Sequence, residues 1–358
     1  MSPTTPLSSI PVLSSSVADN YEFKFVGEGA ANFVFEVLVP PGDEHRSLFQ
    51  EYLLRVPKAE TKAHSYVELQ EYWETVVRPL FDPEDLVQHQ LIKLEGKQLV
   101  SRLNTVLDEE EHARRADFRG SRVAVAEYGM LVEDMRQKHA NDLTLEFKPK
   151  WLAQSPNAPA SATRCRNCAR EALKQHTKPN HHHSHHPKSP QQQQKTILCP
   201  LNFLTCATSP PALTNILTHL STLSPPISPP ISPQTTPPSQ YARLTHWLQT
   251  NTLLPRLRTA QLANDDAGPL GVDDADADAH EPSFQLALAM TLRDCACFVR
   301  IPADSTRPVE AKLADLDKKN WEAKLGYWRD MERRLVEGGY YEGKGVEGVK
   351  RGGRYISW

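Results

Sequence analysis

Apolar and polar residues alternate from Tyr21 through Phe23 to Phe25 and again from Phe33 to Val39, with the small and polar stretch GEGAAN, Gly27 to Asn32, between them. A period of two broken by turn-forming residues predicts a β-hairpin. YLLRVPK, Tyr52 to Lys58, predicts the next strand. The period then lengthens: Tyr66, Leu69, Trp73, Val76, Val77 and Leu80 recur at helical spacing, with Ser65 available as an N-cap. Further on, LTLEFKPKW (143–151) predicts a short strand that turns Glu146, Lys148 and Lys150 to one face and Pro149 to the other. LALAMTLRDCACFVRIP predicts a helix ending near Asp294 and an apolar strand from Ala296 to Ile301. A short strand ending at Asp315 follows. The last helix is capped near Asn320, carries Trp321, Leu325, Trp328, Met331 and Leu335 on its apolar face, and stops at Gly338.

Composition divides this pattern. Residues 1–18 are Ser- and Pro-rich and are expected to be disordered, and low-complexity insertions are expected at 175–195 (HHHSHH and QQQQ) and 208–240 (SPPISPPISPQ). An acidic loop is expected at 263–282. What remains is an N-terminal part, 19–140, and a C-terminal part, 141–350. At 358 residues and 39% hydrophobic content the chain can bury a substantial core. A net charge of −3 argues against a general nucleic-acid binder, so any polyanion site must be local. No apolar run reaches the roughly 18 residues of a membrane span, and the N-terminus lacks the features of a signal peptide, so an intracellular protein without a membrane partner is expected. The six cysteines read as reduced thiols.

Several clusters carry candidate chemistry. GEGAAN serves equally as a plain turn or as a phosphate cradle whose small side chains let backbone N–H groups approach, with Arg55 and Lys58 supplying charge. The two lysines of LEFKPK are either a solvated strand end or a clamp for something rich in phosphate. Arg166, Arg170 and Lys174 form a basic helical stripe, for which a solvated face is the plainer reading. Cys165-x-x-Cys168 within that helix lacks disciplined partners for zinc, and the nearby His tract reads as low complexity. Asp294 and Asp315, with Lys319, Lys324 and Tyr327 off the apolar face of the last helix, supply what phosphoryl transfer requires: a carboxylate near the acceptor hydroxyl, another for Mg²⁺, and cations.

Taken in order, GEGAAN, LLRVPK, LVEDM, LEFKPK, CRNCAREALK, TLRDC and DLDKK…Y resemble the inositol-pentakisphosphate 2-kinase family over roughly Tyr21 to Tyr341. The resemblance implies an α+β, two-lobed inositol-phosphate-kinase-like fold, with a small antiparallel-sheet N-lobe and a larger mixed α/β C-lobe. It implies transfer of the γ-phosphate of ATP to the 2-hydroxyl of inositol 1,3,4,5,6-pentakisphosphate, giving inositol hexakisphosphate (phytate). By that resemblance Glu28, Gly29, Ala30, Ala31, Asn32 and Arg55 meet the ATP phosphates. Glu133, Asp134 and Met135 lie on the adenine side, and Glu146 contacts the nucleotide. Lys148, Lys150, Lys174, Lys319 and Tyr327 bind substrate phosphates, Asp294 is the catalytic base, and Asp315 holds Mg²⁺ near ATP. A monomer resident in nucleus or cytoplasm is the accompanying expectation.

The chain also departs from the family. A substrate arginine falls at Ala323, beside Lys324, and the Asn-Asn-x-Arg stretch expected after CPLNFLT is replaced by SPPISPPISPQ. One of Arg114, Arg115 and Arg119 is expected to reach substrate. The two-His, two-Cys zinc site of some members has no counterpart, so no structural zinc is expected. A kinase for another inositol phosphate or a lipid headgroup would share this machinery, and a noncatalytic polyanion-binding scaffold is the reading from a different class.

Overall fold

The computed structural model describes residues 10–177, 198–222, 236–272 and 280–343, with the side chains of 280–282 excepted. The other parts of the expected disordered terminus, insertions and acidic loop lie outside the described residues. The chain is mixed α/β and divides into two compact units, Met1–Arg136 and Gln137–Trp358.

The first unit is built on a six-stranded sheet. Its elements in chain order are β1 (Val12–Ser14), α1 (Ser15–Ala18), β2 (Glu22–Glu28), β3 (Asn32–Leu38), α2 (Arg46–Phe49), β4 (Tyr52–Pro57), α3 (Tyr66–Tyr72), β5 (His89–Glu95), α4 (Lys97–Glu109) and β6 (Tyr128–Glu133). The strand order is β1-β5-β6-β4-β3-β2. The expected hairpin is β2–β3, with a bulge between Phe25 and Gly27, and β4 pairs antiparallel beside it. Alternation along β3 buries Phe33, Phe35 and Val37, and Leu99, Leu103 and Leu107, spaced by four along α4, join the same core. Ser65 caps α3 in a reciprocal capping box with Glu68.

Two expectations for this unit need correction. The sheet is not purely antiparallel, because β1 runs parallel to β5. Residues 10–18, expected to be unstructured, supply that edge strand and α1. Their Ser/Pro-rich composition is offset by long-range contacts: Leu13 and Ala18 are fully buried, and Ser15 Oγ donates to Glu95 O at 3.2 Å and accepts from Leu99 N–H at 3.3 Å. Ser15 thus caps α4 from 84 residues away. Gly96, at φ +98°, is required there, since a Cβ would lie 2.0 Å from Ser15 Oγ.

The second unit holds a three-stranded antiparallel sheet, β7 (Leu143–Phe147), β8 (Ala296–Ile301) and β9 (Glu310–Ala314), in the order β7-β8-β9. Around it lie α5 (Arg166–Thr177), α6 (Asn202–Thr205), α7 (Pro210–Thr222), α8 (Pro238–Thr250), α9 (Leu253–Ala263), α10 (His280–Leu292) and α11 (Trp321–Glu337). Asn320 caps α11 by accepting from Ala323 N–H at 3.0 Å. The tract expected to be unable to fold from 208 contains α7. Ala212, Ile216 and Leu220 recur every four residues there and are buried, so periodicity outweighs the Pro/Ser-rich composition of the tract.

A buried ionic network crosses this unit. Glu332 is fully buried and accepts from Arg166 Nε and Ser155 Oγ, each at 2.6 Å, and from Tyr341 Oη. The Trp151 ring lies between two guanidinium groups, Arg166 at 4.1 Å and Arg293 at 3.6 Å, and Arg293 is paired with Asp265. The expected basic stripe on α5 is therefore not one solvated face, because Arg166 belongs to the core. Arg170 meets the exposed Tyr327 at 3.5 Å, and exposed Lys174 pairs with Glu171.

Candidate active site

Strand register brings three loops together at one end of the small sheet. Phe147 opposes Cys297 and Ala296 opposes Ala314, so the residues just beyond β7, before β8 and after β9 share that end. They are Lys148 and Lys150, Asp294, and Asp315. The lysines do not alternate on a strand as the sequence pattern implied, because β7 stops at Phe147. They converge nonetheless. Lys148 Nζ lies 2.8 Å from Asp315 Oδ2, 2.8 Å from the Asp294 carbonyl and 3.6 Å from Asp294 Oδ1. Lys150 Nζ lies 3.0 Å from Asp294 Oδ1, and Lys319 Nζ, from the loop before α11, 3.2 Å from Asp294 Oδ2.

Three ammonium groups thus face the carboxylates of Asp294 and Asp315, with Glu146 close enough to feel Lys148 and Asp315 as well. Partial burial raises the Asp294 carboxyl, but Lys319, Lys150 and Lys148 outweigh it and hold the group down at about 2. Lys148 is held above its usual value: desolvation lowers it, and the charges of Asp315 and Asp294 more than compensate. Lys150 and Asp315 adopt left-handed backbone, at φ +60° and +58°. Non-glycine residues there carry strain of about 1–3 kcal/mol, which tends to collect where charges must be aimed. The sequence pattern gave no sign of the support beneath Lys150. Gln261, fully buried, donates from Nε2 to the Lys150 carbonyl at 2.9 Å and the Leu292 carbonyl at 3.0 Å, and accepts from Leu152 N–H at 2.9 Å. A glutamine among the leucines of α9 is the one signal that could have singled it out.

The other expected contacts are more scattered. Glu146, at the end of β7, is the exception: it feels the charges of Lys148 and Asp315, and desolvation prevails to raise its carboxyl. Lys174 and Tyr327 meet residues of α5 instead, Glu171 and Arg170 respectively. The donor chemistry of that group suits a hard cation, since Asp294 and Asp315 offer carboxylate oxygens and their side chains are 47% and 46% exposed.

In the first unit, the GEGAAN turn closes with Gly29 N–H donating to Asn32 O at 3.0 Å, and Gly29 and Ala30 are exposed at its tip. A Cβ on Gly27 or Gly29 would meet no protein atom within 4 Å, so room remains beside the hairpin for a phosphate group. With its amide oxygen turned to the guanidinium, Asn32 accepts from Arg55 at 2.6 and 3.3 Å, and Arg55 lies over the Tyr66 ring.

Glu28 turns inward from the same hairpin. Lys58 Nζ meets it at 2.6 Å and Arg114 at 2.9 and 3.1 Å, with both bases against the Phe33 ring. Burial raises the Glu28 carboxyl, but hydrogen bonds from Arg114 and Lys58 prevail and lower it. Glu28, Lys58 and Arg114 thus satisfy one another's charges beside the hairpin. Of the three arginines expected near substrate, Arg114 is buried in this triad, Arg119 donates to the carbonyls of Arg114 and His112, and Arg115 is exposed against Phe118. On β6 and beyond it, Glu133 accepts from Gln88 N–H, Asp134 pairs with Arg136, and Met135 is buried.

The sequence reading of the cysteines misses a partner. Cys199, 34 residues from Cys165, lies beside it with the sulfurs 3.5 Å apart, and Cys168 joins them.

Comparison with known proteins adds two findings. A family model described as inositol-pentakisphosphate 2-kinase matches residues 25–334. An inositol-pentakisphosphate 2-kinase of Yarrowia lipolytica is 29% identical over 210 residues, which cover 58% of this chain and 57% of that protein. The aligned stretch thus spans little more than half the length of that relative.

Proposed function

The chain belongs to the inositol-pentakisphosphate 2-kinase family, and from that premise we propose that it transfers the γ-phosphate of ATP to the 2-hydroxyl of inositol 1,3,4,5,6-pentakisphosphate, giving inositol hexakisphosphate. The convergence of Lys148, Lys150 and Lys319 on Asp294 and Asp315 carries this reading. A substrate bearing several phosphates supplies the anions that draw those lysines away from the two carboxylates. Relieved of its cations, Asp294 becomes more basic and accepts the hydrogen bond, and then the proton, of the attacking hydroxyl. The lysines, now on substrate phosphates, fix the ring so that this hydroxyl is the one presented.

Asn32 and Arg55, with the open hairpin tip, support binding of the ATP phosphates, while the segment Glu133 to Met135 is assigned to the adenine and Glu146 to the nucleotide. Asp315 is the residue assigned to hold Mg²⁺, which when bound offsets the charge of the ATP phosphate oxygens. Lys174 and Tyr327 are assigned to outlying substrate phosphates.

Purified protein given ATP, Mg²⁺ and the pentakisphosphate should form inositol hexakisphosphate, identified by anion-exchange chromatography and by its phosphorus spectrum. Faster turnover of another inositol phosphate would replace the assigned substrate, and binding without turnover would favour the polyanion scaffold. Lys148→Ala and Lys150→Ala should each weaken pentakisphosphate binding by about 1–3 kcal/mol, the scale of a charge-assisted hydrogen bond, with less effect on ATP. Calorimetric Kd values equal to wild type in both variants would remove the clamp.

A further inference from the structure

The register of the small sheet continues past its strands. In β7 and β8 Phe147 opposes Cys297, and beyond them Lys150 faces Asp294, Trp151 faces Arg293 and Leu152 is linked to Leu292. These rungs are made by side chains in place of backbone bonds. The first is the ion pair of Lys150 and Asp294 at 3.0 Å. In the second, the Arg293 guanidinium lies 3.6 Å from the centre of the Trp151 ring. The third is carried by Gln261, which accepts from Leu152 N–H and donates to the Leu292 carbonyl. Only the first rung meets solvent; Trp151, Arg293, Leu152, Leu292 and Gln261 are all buried.

The middle rung is a costly piece of core. Arg293 Nη1 is paired with Asp265, but Nε and Nη2 are buried without a hydrogen-bond partner among the described residues. Buried ion pairs can often be replaced by apolar side chains without loss of stability, so packing alone gives little reason to hold a tryptophan between two guanidinium groups. Geometry gives a better one. A planar guanidinium over an indole face fixes both groups more narrowly than contact between flexible apolar chains would. The rung is braced on both sides: Asp265 holds Arg293, while Arg166, 4.1 Å from the same ring, is tied to Glu332 on α11.

We propose that Trp151 and Arg293 are positioning residues for phosphoryl transfer: their stack sets the distance between Lys150, which orients the inositol phosphate, and Asp294, which meets its hydroxyl. This rests on the kinase reading above. Neither Trp151 nor Arg293 is assigned a contact with the reacting atoms, but each is the chain neighbour of a residue that is. A change in their contact therefore moves the lysine relative to the carboxylate. With the stack lost, the acceptor hydroxyl drifts out of line and the γ-phosphoryl group passes more often to water. The products are then ADP and inorganic phosphate in place of ADP and inositol hexakisphosphate.

A misplacement of about 1 Å can cost on the order of 10²-fold in rate, so Trp151→Leu, which loosens the pair without removing it, should lower kcat for hexakisphosphate formation about 10-fold. The ratio of ATP hydrolysed to hexakisphosphate formed should rise, with ATP affinity and circular dichroism as in wild type. Trp151→Phe offers a weaker π face and should fall between the two; it carries the test if the leucine variant does not fold. Leu220→Ala, which trims an equally buried side chain on α7, should leave the ratio at the wild-type value. In calorimetric Kd measurements with the pentakisphosphate, the effects of the Trp151 substitution and Lys150→Ala should be non-additive, as for two groups that act together. A wild-type ratio in folded Trp151 variants, an equal rise in Leu220→Ala, or additive Kd effects would overturn the proposal and leave the kinase reading intact. A wild-type chain that does not phosphorylate the pentakisphosphate would overturn both.

Discussion

Asp294→Asn is expected to lower kcat by about 10²-fold or more, the scale of a removed general base, while pentakisphosphate affinity stays unchanged or tightens. The two effects separate because Asp294 has two relations to the lysines. It is their counter-ion in the free protein, so replacing it with a neutral amide leaves Lys150 and Lys319 without that carboxylate and Lys148 with Asp315, a stronger attraction for phosphate. It is also the proposed acceptor of the hydroxyl proton, which an amide cannot take. A carboxyl held at about 2 is a weak base, so its basicity depends on substrate recruiting the lysines first. The same shift has a sign in stability. A lowered carboxyl stabilises the fold above its unfolded value, about 3.9, and that contribution disappears as pH falls towards about 2. The stability difference between wild type and Asp294→Asn should therefore shrink through that acid window. Steady-state kinetics with calorimetric Kd measurements test the separation; wild-type kcat in the variant, or a loss confined to Kd, would refute the assignment.

Glu332→Ala should destabilise the protein by about 3–5 kcal/mol, the cost of leaving a buried charge without its partner. Arg166 has only 5% of its side chain exposed, and the variant would strip it of Glu332 while Ser155 and Tyr341 lose their acceptor. Water cannot readily replace a carboxylate in that core, and Trp151 holds the guanidinium in place. Glu332→Gln should cost less, since an amide oxygen can still accept from Ser155 or Tyr341. Urea unfolding of the three proteins checks this; a shift within about 0.5 kcal/mol for Glu332→Ala, as for an ordinary surface change, would mean that the network is not strained by the loss.

Much of the fold could be read locally. Alternation found β2, β3 and β4, and Ser65 and Asn320 announced the starts of α3 and α11, because strand period and capping depend on residues only a few positions apart. Motif resemblance brought Lys148, Lys150, Asp294 and Asp315 to attention, although the face-sharing reason first given for the two lysines fails where β7 ends. What escaped depends on distant partners. Ser15 reads as linker until Gly96 and α4 are beside it. The pairing of the Glu28 side chain with Lys58 and Arg114, 30 and 86 residues away, had no local sign either. α7 was obscured for another reason: averaging composition over a Pro/Ser-rich tract hid a clear four-residue period. Cys199 carried no local sign of its partners at all.

The left-handed backbone at Lys150 and Asp315 puts foldability and function in opposition at the same two positions. Glycine suits φ near +60° better than either residue, so a chain drifting only towards easier folding would gain there by losing an ammonium group or a carboxylate. Nearby, Gln261 lends the left-handed turn at Lys150 a fixed hydrogen-bond partner and so reduces the incentive for that drift. Variation at Gln261, far less conspicuous than the charged residues it underpins, would then be felt first as a loosening of Lys150 and only afterwards as a loss of chemistry.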